Sequence, residues 1–304
     1  MKFGYFCNTT NWDHKPYDQL LNETKEITTF CDENNWDSIW YTEHHFNHEG
    51  MESCTNPLMM GVDAAARTKQ IRIGQACNVI TFHNPIRLAE DIALLDQLSG
   101  GRVDVGIGRG IYGREAINMN KEADLKDQAK NFRLFDESLT IMKKAWTEKF
   151  FSHKGEFYNY PTPGFNWQHD MSPPNEEFLD TKTNEIKKIS IVPKPKQQPH
   201  PPIWQVVDGA RSIEWAAQNG LNTIMWIPTV KALKNRFEIY RDAKSKAENR
   251  DVPLGEGISL VRDMFVAETM EEAEKLAGEY IINYMKWVCH WRGLGNHMDP
   301  GEEL

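Results

Sequence analysis

Strand-like apolar runs alternate with helical patterns from the first residues of this chain. That alternation restricts the fold to the α/β classes, in which βα units surround a mainly parallel sheet. The runs cover residues 2–7, 37–41, 71–79, 103–107, 203–207, 223–227 and 258–267. The first four begin roughly 30 to 35 residues apart, about one βα unit each. The residues themselves do not repeat, so the period belongs to the architecture. It predicts a (β/α)8 TIM-barrel type of fold in a single domain covering residues 1–304.

Helix boundaries are punctuated by residue type. Asn56-Pro57 can cap and start a helix running through Arg67. Asn84-Pro85 starts another, with Ile86, Ala89, Ile92, Ala93 and Leu95 as its apolar stripe and Ser99-Gly100-Gly101 as its end. Thr269 with Glu272 forms a capping box ahead of Ala273, Leu276, Ala277 and Tyr280. The rhythm breaks between Val105 and Ile203. Part of that gap is a helix with Phe132, Phe135, Leu139, Met142 and Ala145 at helical spacing. The remainder, residues 151–202, reads as an insertion between strands 4 and 5. It holds a hairpin with its turn at Lys154-Gly155 and an exposed loop over residues 170–188. After the helix expected from Met270 to about Trp291, no eighth strand pattern follows, so the barrel is expected to lack its last βα unit.

Composition excludes several classes of function. With 35 basic against 44 acidic residues and a net charge of −9, the chain has no electrostatic footprint for nucleic acid. No apolar run approaches the ~18 residues of a membrane span, and the first residues form a strand pattern instead of a secretory signal. The five cysteines (Cys7, Cys31, Cys54, Cys77, Cys289) are widely spaced and form no Cys-x-x-Cys pair. They read as reduced thiols of a cytoplasmic protein.

Chemistry concentrates where strands end. Tyr41-Thr42-Glu43-His44-His45-Phe46 carries a carboxylate and two imidazoles straight out of the second strand, and such groups are costly to bury without partners. Gly106-Ile107-Gly108-Arg109-Gly110 surrounds a guanidinium with residues that let a backbone approach a planar or anionic ligand. Asp208-Gly209-Ala210-Arg211-Ser212 opens a helix whose first N–H groups suit an anion, with Asp208 as cap and Ser212 as a further donor. Metal ligation by Glu43, His44, His45, His48 and Glu49 is a second reading of the first motif. It is weakened because His83, His153, His169 and His200 fall in turns or in the insertion.

These motifs resemble the bacterial luciferase-like, flavin-dependent monooxygenases. The likeness extends through Asn84-Pro85-Ile86-Arg87-Leu88-Ala89-Glu90-Asp91, Leu95-Asp96-Gln97-Leu98-Ser99-Gly100-Gly101-Arg102, Pro201-Pro202-Ile203-Trp204 and Glu214-Trp215-Ala216-Ala217. The resemblance implies reduced FMN and O2 as co-substrates, and transfer of one oxygen atom to a small, largely apolar organic substrate. It implies His44 as the catalytic acid or base. Glu43, Ala76, Cys77, Gly108, Arg109, Arg133, Asp208, Gly209 and Ser212 become cofactor contacts, and no metal is called for. Ala76-Cys77 falls where the family often keeps a non-proline cis peptide. Some members carry a cysteine where this chain has Gly108, so light emission is not expected. No Gly-x-Gly-x-x-Gly unit is present, which implies a separate flavin reductase, and the family implies a homodimer. Two other readings are F420-dependent hydride transfer on the same fold and a non-catalytic flavin-binding protein.

Overall fold

The computed structural model describes residues 1–292; the end of the chain, on which the expected loss of an eighth strand depends, lies outside the described residues. Two compact units are present. The first comprises residues 1–7, 16–46 and 54–201, and the second residues 8–15, 47–53 and the chain from Pro202 onward.

The first unit runs β1 (Gly4–Cys7), α1 (Tyr17–Glu33), β2 (Ser38–Tyr41), α2 (Pro57–Arg67), β3 (Arg72–Gln75), β4 (Asn78–Val79), α3 (Pro85–Leu98), β5 (Val103–Gly108), α4 (Gly113–Met119), α5 (Gln128–Thr147) and the short pair β6 (His153–Lys154) and β7 (Asn159–Tyr160). β1, β2, β3 and β5 pair in that order, all parallel, with Tyr5 beside Ile39, Ile39 beside Ile73 and Ile73 beside Val103. Helices cover the strands, so every residue of β5 is buried, as befits a parallel sheet with both faces packed.

Local chemistry sets the helix starts. The Asn56 side chain accepts the Met59 N–H, and Asn84 accepts those of Ile86 and Arg87, each with proline as the first helical residue. The run expected as one strand over 71–79 is two, β3 and β4, separated by Ala76-Cys77, whose peptide is cis. β4 pairs instead with the far end of β5, Asn78 beside Ile107 and Val79 beside Gly108.

The insertion hairpin differs from its expected turn. His153 pairs with Tyr160 and Lys154 with Asn159, so the connection spans 155–158 instead of Lys154-Gly155 alone. A side chain from the middle of α5 explains the longer loop: the Glu137 carboxylate accepts the N–H groups of Glu156, Phe157 and Tyr158 and faces His153 Nε2 at 3.1 Å. Residues 170–188 are mostly exposed, as expected.

The second unit runs β8 (Ile203–Val206), α6 (Ala210–Gln218), β9 (Asn222–Trp226), α7 (Val230–Glu248), β10 (Ile258–Val261), α8 (Met270–Ala273), a π-helical turn over Glu274–Gly278, and α9 (Glu279–Arg292). β8, β9 and β10 are parallel neighbours. β10 stops at Val261, short of the expected 267. Its partner β9 ends at Trp226; the Ile227 N–H still donates to Val261 O, but Ile227 takes φ 39° and the extended strand stops there. Thr269 caps α8 by accepting the Glu272 N–H.

Asp32, near the end of α1, holds the entry to β3. Its carboxylate accepts the N–H groups of Lys69, Gln70 and Ile71 at 3.0, 2.9 and 2.8 Å. Burial pushes this carboxyl up, but the three donors outweigh it and hold it below the ordinary 3.8. Asp32→Ala is expected to cost about 2–4 kcal/mol in urea unfolding at neutral pH, by orphaning those N–H groups. Because the folded-state value is lowered, the contribution of ionisation is complete above the unfolded value and fades as pH falls through the folded one. The gap between wild type and variant should therefore narrow in acid.

Candidate active site

β2 delivers its chain into Thr42 and then Glu43, whose side chain is almost fully enclosed. Glu43 Oε1 accepts from His45 Nε2 at 3.0 Å and His83 Nε2 at 2.8 Å, while Oε2 accepts the Val79 N–H at 2.7 Å. Burial pushes the Glu43 carboxyl up, and the two imidazoles with the Val79 N–H more than reverse this, so it sits below the ordinary carboxylate range. Burial lowers His83, and the Glu43 carboxylate reverses that too, leaving His83 raised. His83 was expected only in a turn; it is a member of this cluster, invisible to a search for neighbouring residues because it lies forty positions away.

His44 takes a different direction. Its Nδ1 lies 3.4 Å from Glu115 Oε1, its ring packs 5.4 Å from that of Tyr112, and its backbone N–H donates to Cys54 O. The two histidines are thus adjacent in sequence but serve separate neighbours. Among the described residues, no group of three or more His, Cys, Asp or Glu side chains is arranged to hold a metal ion.

The cluster continues into the glycine-bounded end of β5. Val79, held by Glu43, pairs with Gly108. A Cβ added at Gly106 would overlap the Gln75 carbonyl, and one at Gly108 would overlap the Cys77 sulfur. These glycines are therefore required by neighbours within the protein, and the space over Gly108 is filled by the thiol of residue 77. Arg109 follows: its guanidinium lies 3.4 Å from Asn131 Oδ1 and 5.7 Å from the centre of the Phe132 ring, while Asn131 and Thr81 both donate to the Arg109 carbonyl. Asn131 and Phe132 belong to α5, so that helix orients the arginine.

Arg133 is not gathered with Arg109. Its guanidinium makes a two-point pair with Glu156 of the insertion, at 2.8 and 3.0 Å, on the exposed surface. In the second unit, Gly209 is the N-cap of α6 with no side-chain cap, leaving helix-start N–H groups for an anion. Asp208 is exposed and does not cap, and the Ser212 hydroxyl donates to Gly209 O at 2.8 Å. A flavin is the group the sequence implies. The oriented Arg109 and the uncapped start of α6 each fit an anionic or planar ligand, whereas Arg133 would first have to leave Glu156.

A family model described as luciferase-like monooxygenase matches residues 1–174. The chain is 29% identical over 286 residues to the oxygenase component of a flavin-dependent trigonelline monooxygenase from Acinetobacter baylyi, covering 93% of this chain and 70% of that protein. It is 28% identical over 243 residues to the alkanal monooxygenase alpha chain of Photorhabdus laumondii, covering 80% of this chain but 58% of that one. In structure it is similar to the oxygenating constituent of 3,6-diketocamphane monooxygenase from Pseudomonas putida, solved with FMN: TM-score 0.79, 22% identity, covering 97% of this chain and 77% of that one. An F420-dependent secondary alcohol dehydrogenase shares the fold more distantly, at TM-score 0.59 and 18% identity over 85% of this chain and 67% of that one. The fold is accordingly the expected TIM-barrel type.

Gly108→Ala is expected to destabilise the protein by about 1–3 kcal/mol through overpacking against the Cys77 sulfur, with Gly108→Ala/Cys77→Ala recovering most of the loss in a double-mutant cycle. A second outcome concerns pH. Glu43, lowered, contributes fully above the ordinary 4.5 and loses its contribution as pH falls; His83, raised, contributes fully below the ordinary 6.5 and loses its contribution as pH rises. The stability gap between wild type and Glu43→Gln should therefore be widest between those two values and shrink on either side, as read by urea unfolding at a series of pH values.

Proposed function

The chain belongs to the luciferase-like monooxygenase family, and from that premise we propose that it is the oxygenase component of a two-component flavin-dependent monooxygenase. It uses reduced FMN and O2 to oxygenate a small, largely apolar organic substrate. One observation carries the reading: a single connected cluster ties the His45 and His83 imidazoles, through Glu43 and Val79, to the end of β5 that presents Arg109. The 29% identical flavin-dependent relative supports the same class.

The bound flavin supplies the redox chemistry. Arg109, oriented by Asn131 and Phe132, holds the anionic cofactor, and Cys77 with Gly108 forms the surface beside it. Ala76, Asp208, Gly209 and Ser212 stay as proposed cofactor contacts. Arg133 serves as a second anchor once it exchanges Glu156 for the cofactor. Glu43 orders the pocket, and His44 holds or accepts the proton that accompanies oxygen transfer. A separate reductase supplies the reduced flavin, and two copies of the chain form the working dimer. No helix of the described residues is long and apolar enough to cross a membrane.

Reduced FMN should bind and should support oxygen uptake coupled to a reductase. Arg109→Ala is expected to weaken binding roughly 10- to 100-fold, the worth of a charged hydrogen bond. His44→Ala should lower turnover about 10²- to 10⁴-fold at near-constant affinity. Binding of F420 with hydride transfer and no oxygen uptake would replace this reading with the dehydrogenase activity of its more distant fold neighbour. Binding of FMN without any turnover would point to a non-catalytic protein.

A further inference from the structure

Each member of the adjacent histidine pair docks on its own buried carboxylate. Glu43 is saturated by His45, His83 and the Val79 N–H. Glu115, from the short helix α4, is built differently. Its Oε1 accepts the His45 backbone N–H at 2.7 Å and faces His44 Nδ1 at 3.4 Å. The side chains of Glu115 and His44 are 1% and 12% exposed. The backbone bond fixes the carboxylate independently of the imidazole, so the acceptor is already in place when the ring is oriented. A 3.4 Å separation is longer than an ordinary charge-assisted hydrogen bond, and such contacts tighten when a ligand closes the site.

We infer that Glu115 is the positioning residue of His44: its carboxylate keeps a proton on Nδ1 and leaves Nε2 as the atom that exchanges protons with the reacting species. An anchored carboxylate beside one ring nitrogen selects the tautomer and stabilises the imidazolium. Tyr112, leading into α4, packs against the same ring and limits its rotation. Of the other charged groups in the cluster, Glu43 engages both His45 and His83. The neighbouring imidazoles therefore divide the work: His45 ties the loop to Glu43, and His44 does the proton chemistry. This inference rests on the acid–base role proposed above for His44.

Glu115→Gln tests it, because glutamine keeps an oxygen for the His45 N–H while removing the charge. In flavin-free protein, NMR titration of isotope-labelled histidines should show the His44 midpoint moving to lower pH by about one unit. Turnover with reduced FMN should fall at least about tenfold, with KM for the flavin little changed and the pH profile displaced in the same direction. Glu115→Asp should restore part of the displacement. A folded Glu115→Gln protein whose His44 titration and pH profile coincide with those of wild type overturns the inference. Failure of the underlying reading is distinguishable: His44→Ala would then keep full turnover, even if Glu115→Gln still moved the His44 titration.

Discussion

A carboxylate buried at residue 43 is the constraint around which the first unit is arranged. An ionised acid removed from water is expensive unless its oxygens find donors, and unpairing it would leave a buried charge. Glu43 finds three, from residues at positions 45, 79 and 83. Satisfying one side chain thereby fixes the direction of His45, the position of β4 and the loop that leads into α3. Since β4 also pairs with β5, the same charge locates Gly108 and the start of the Arg109 segment.

The sulfur of Cys77 and the missing side chain of Gly108 form a matched pair in that segment. Sequence comparison within the family draws attention to the absence of a thiol at position 108. The structure shows a thiol brought to the neighbouring volume from the break between β3 and β4, which is why position 108 has no room for a side chain. Substitution at either position therefore has to be read together with the other.

The strand order and helix starts were legible because they depend on local signals. Apolar runs at βα spacing marked the strands, and Asn-Pro pairs marked α2 and α3 through the same side-chain capping seen in the structure. The Glu-His-His motif was legible as a cluster needing partners. Its partners were not, because His83 and Glu115 lie 40 and 72 residues from Glu43, and hydrogen bonds of that reach leave no mark on periodicity. Helix α4 was also missed, being seven residues long and without a capping side chain at its start. Arg133 shows the opposite difficulty: its position in the family motif is readable, but its bond to Glu156 depends on how the insertion hairpin folds back on α5. The hairpin itself was readable, while its longer turn is dictated by the Glu137 carboxylate.

The central claim, that the buried cluster supports a flavin site at the end of β5, is tested most directly by a crystal structure of the protein with FMN. The account predicts flavin density with the Arg109 guanidinium in hydrogen-bonding contact and the cofactor lying beside Cys77 and Gly108. Flavin bound away from all three residues, with Arg109 still against Asn131 and Phe132, would contradict it.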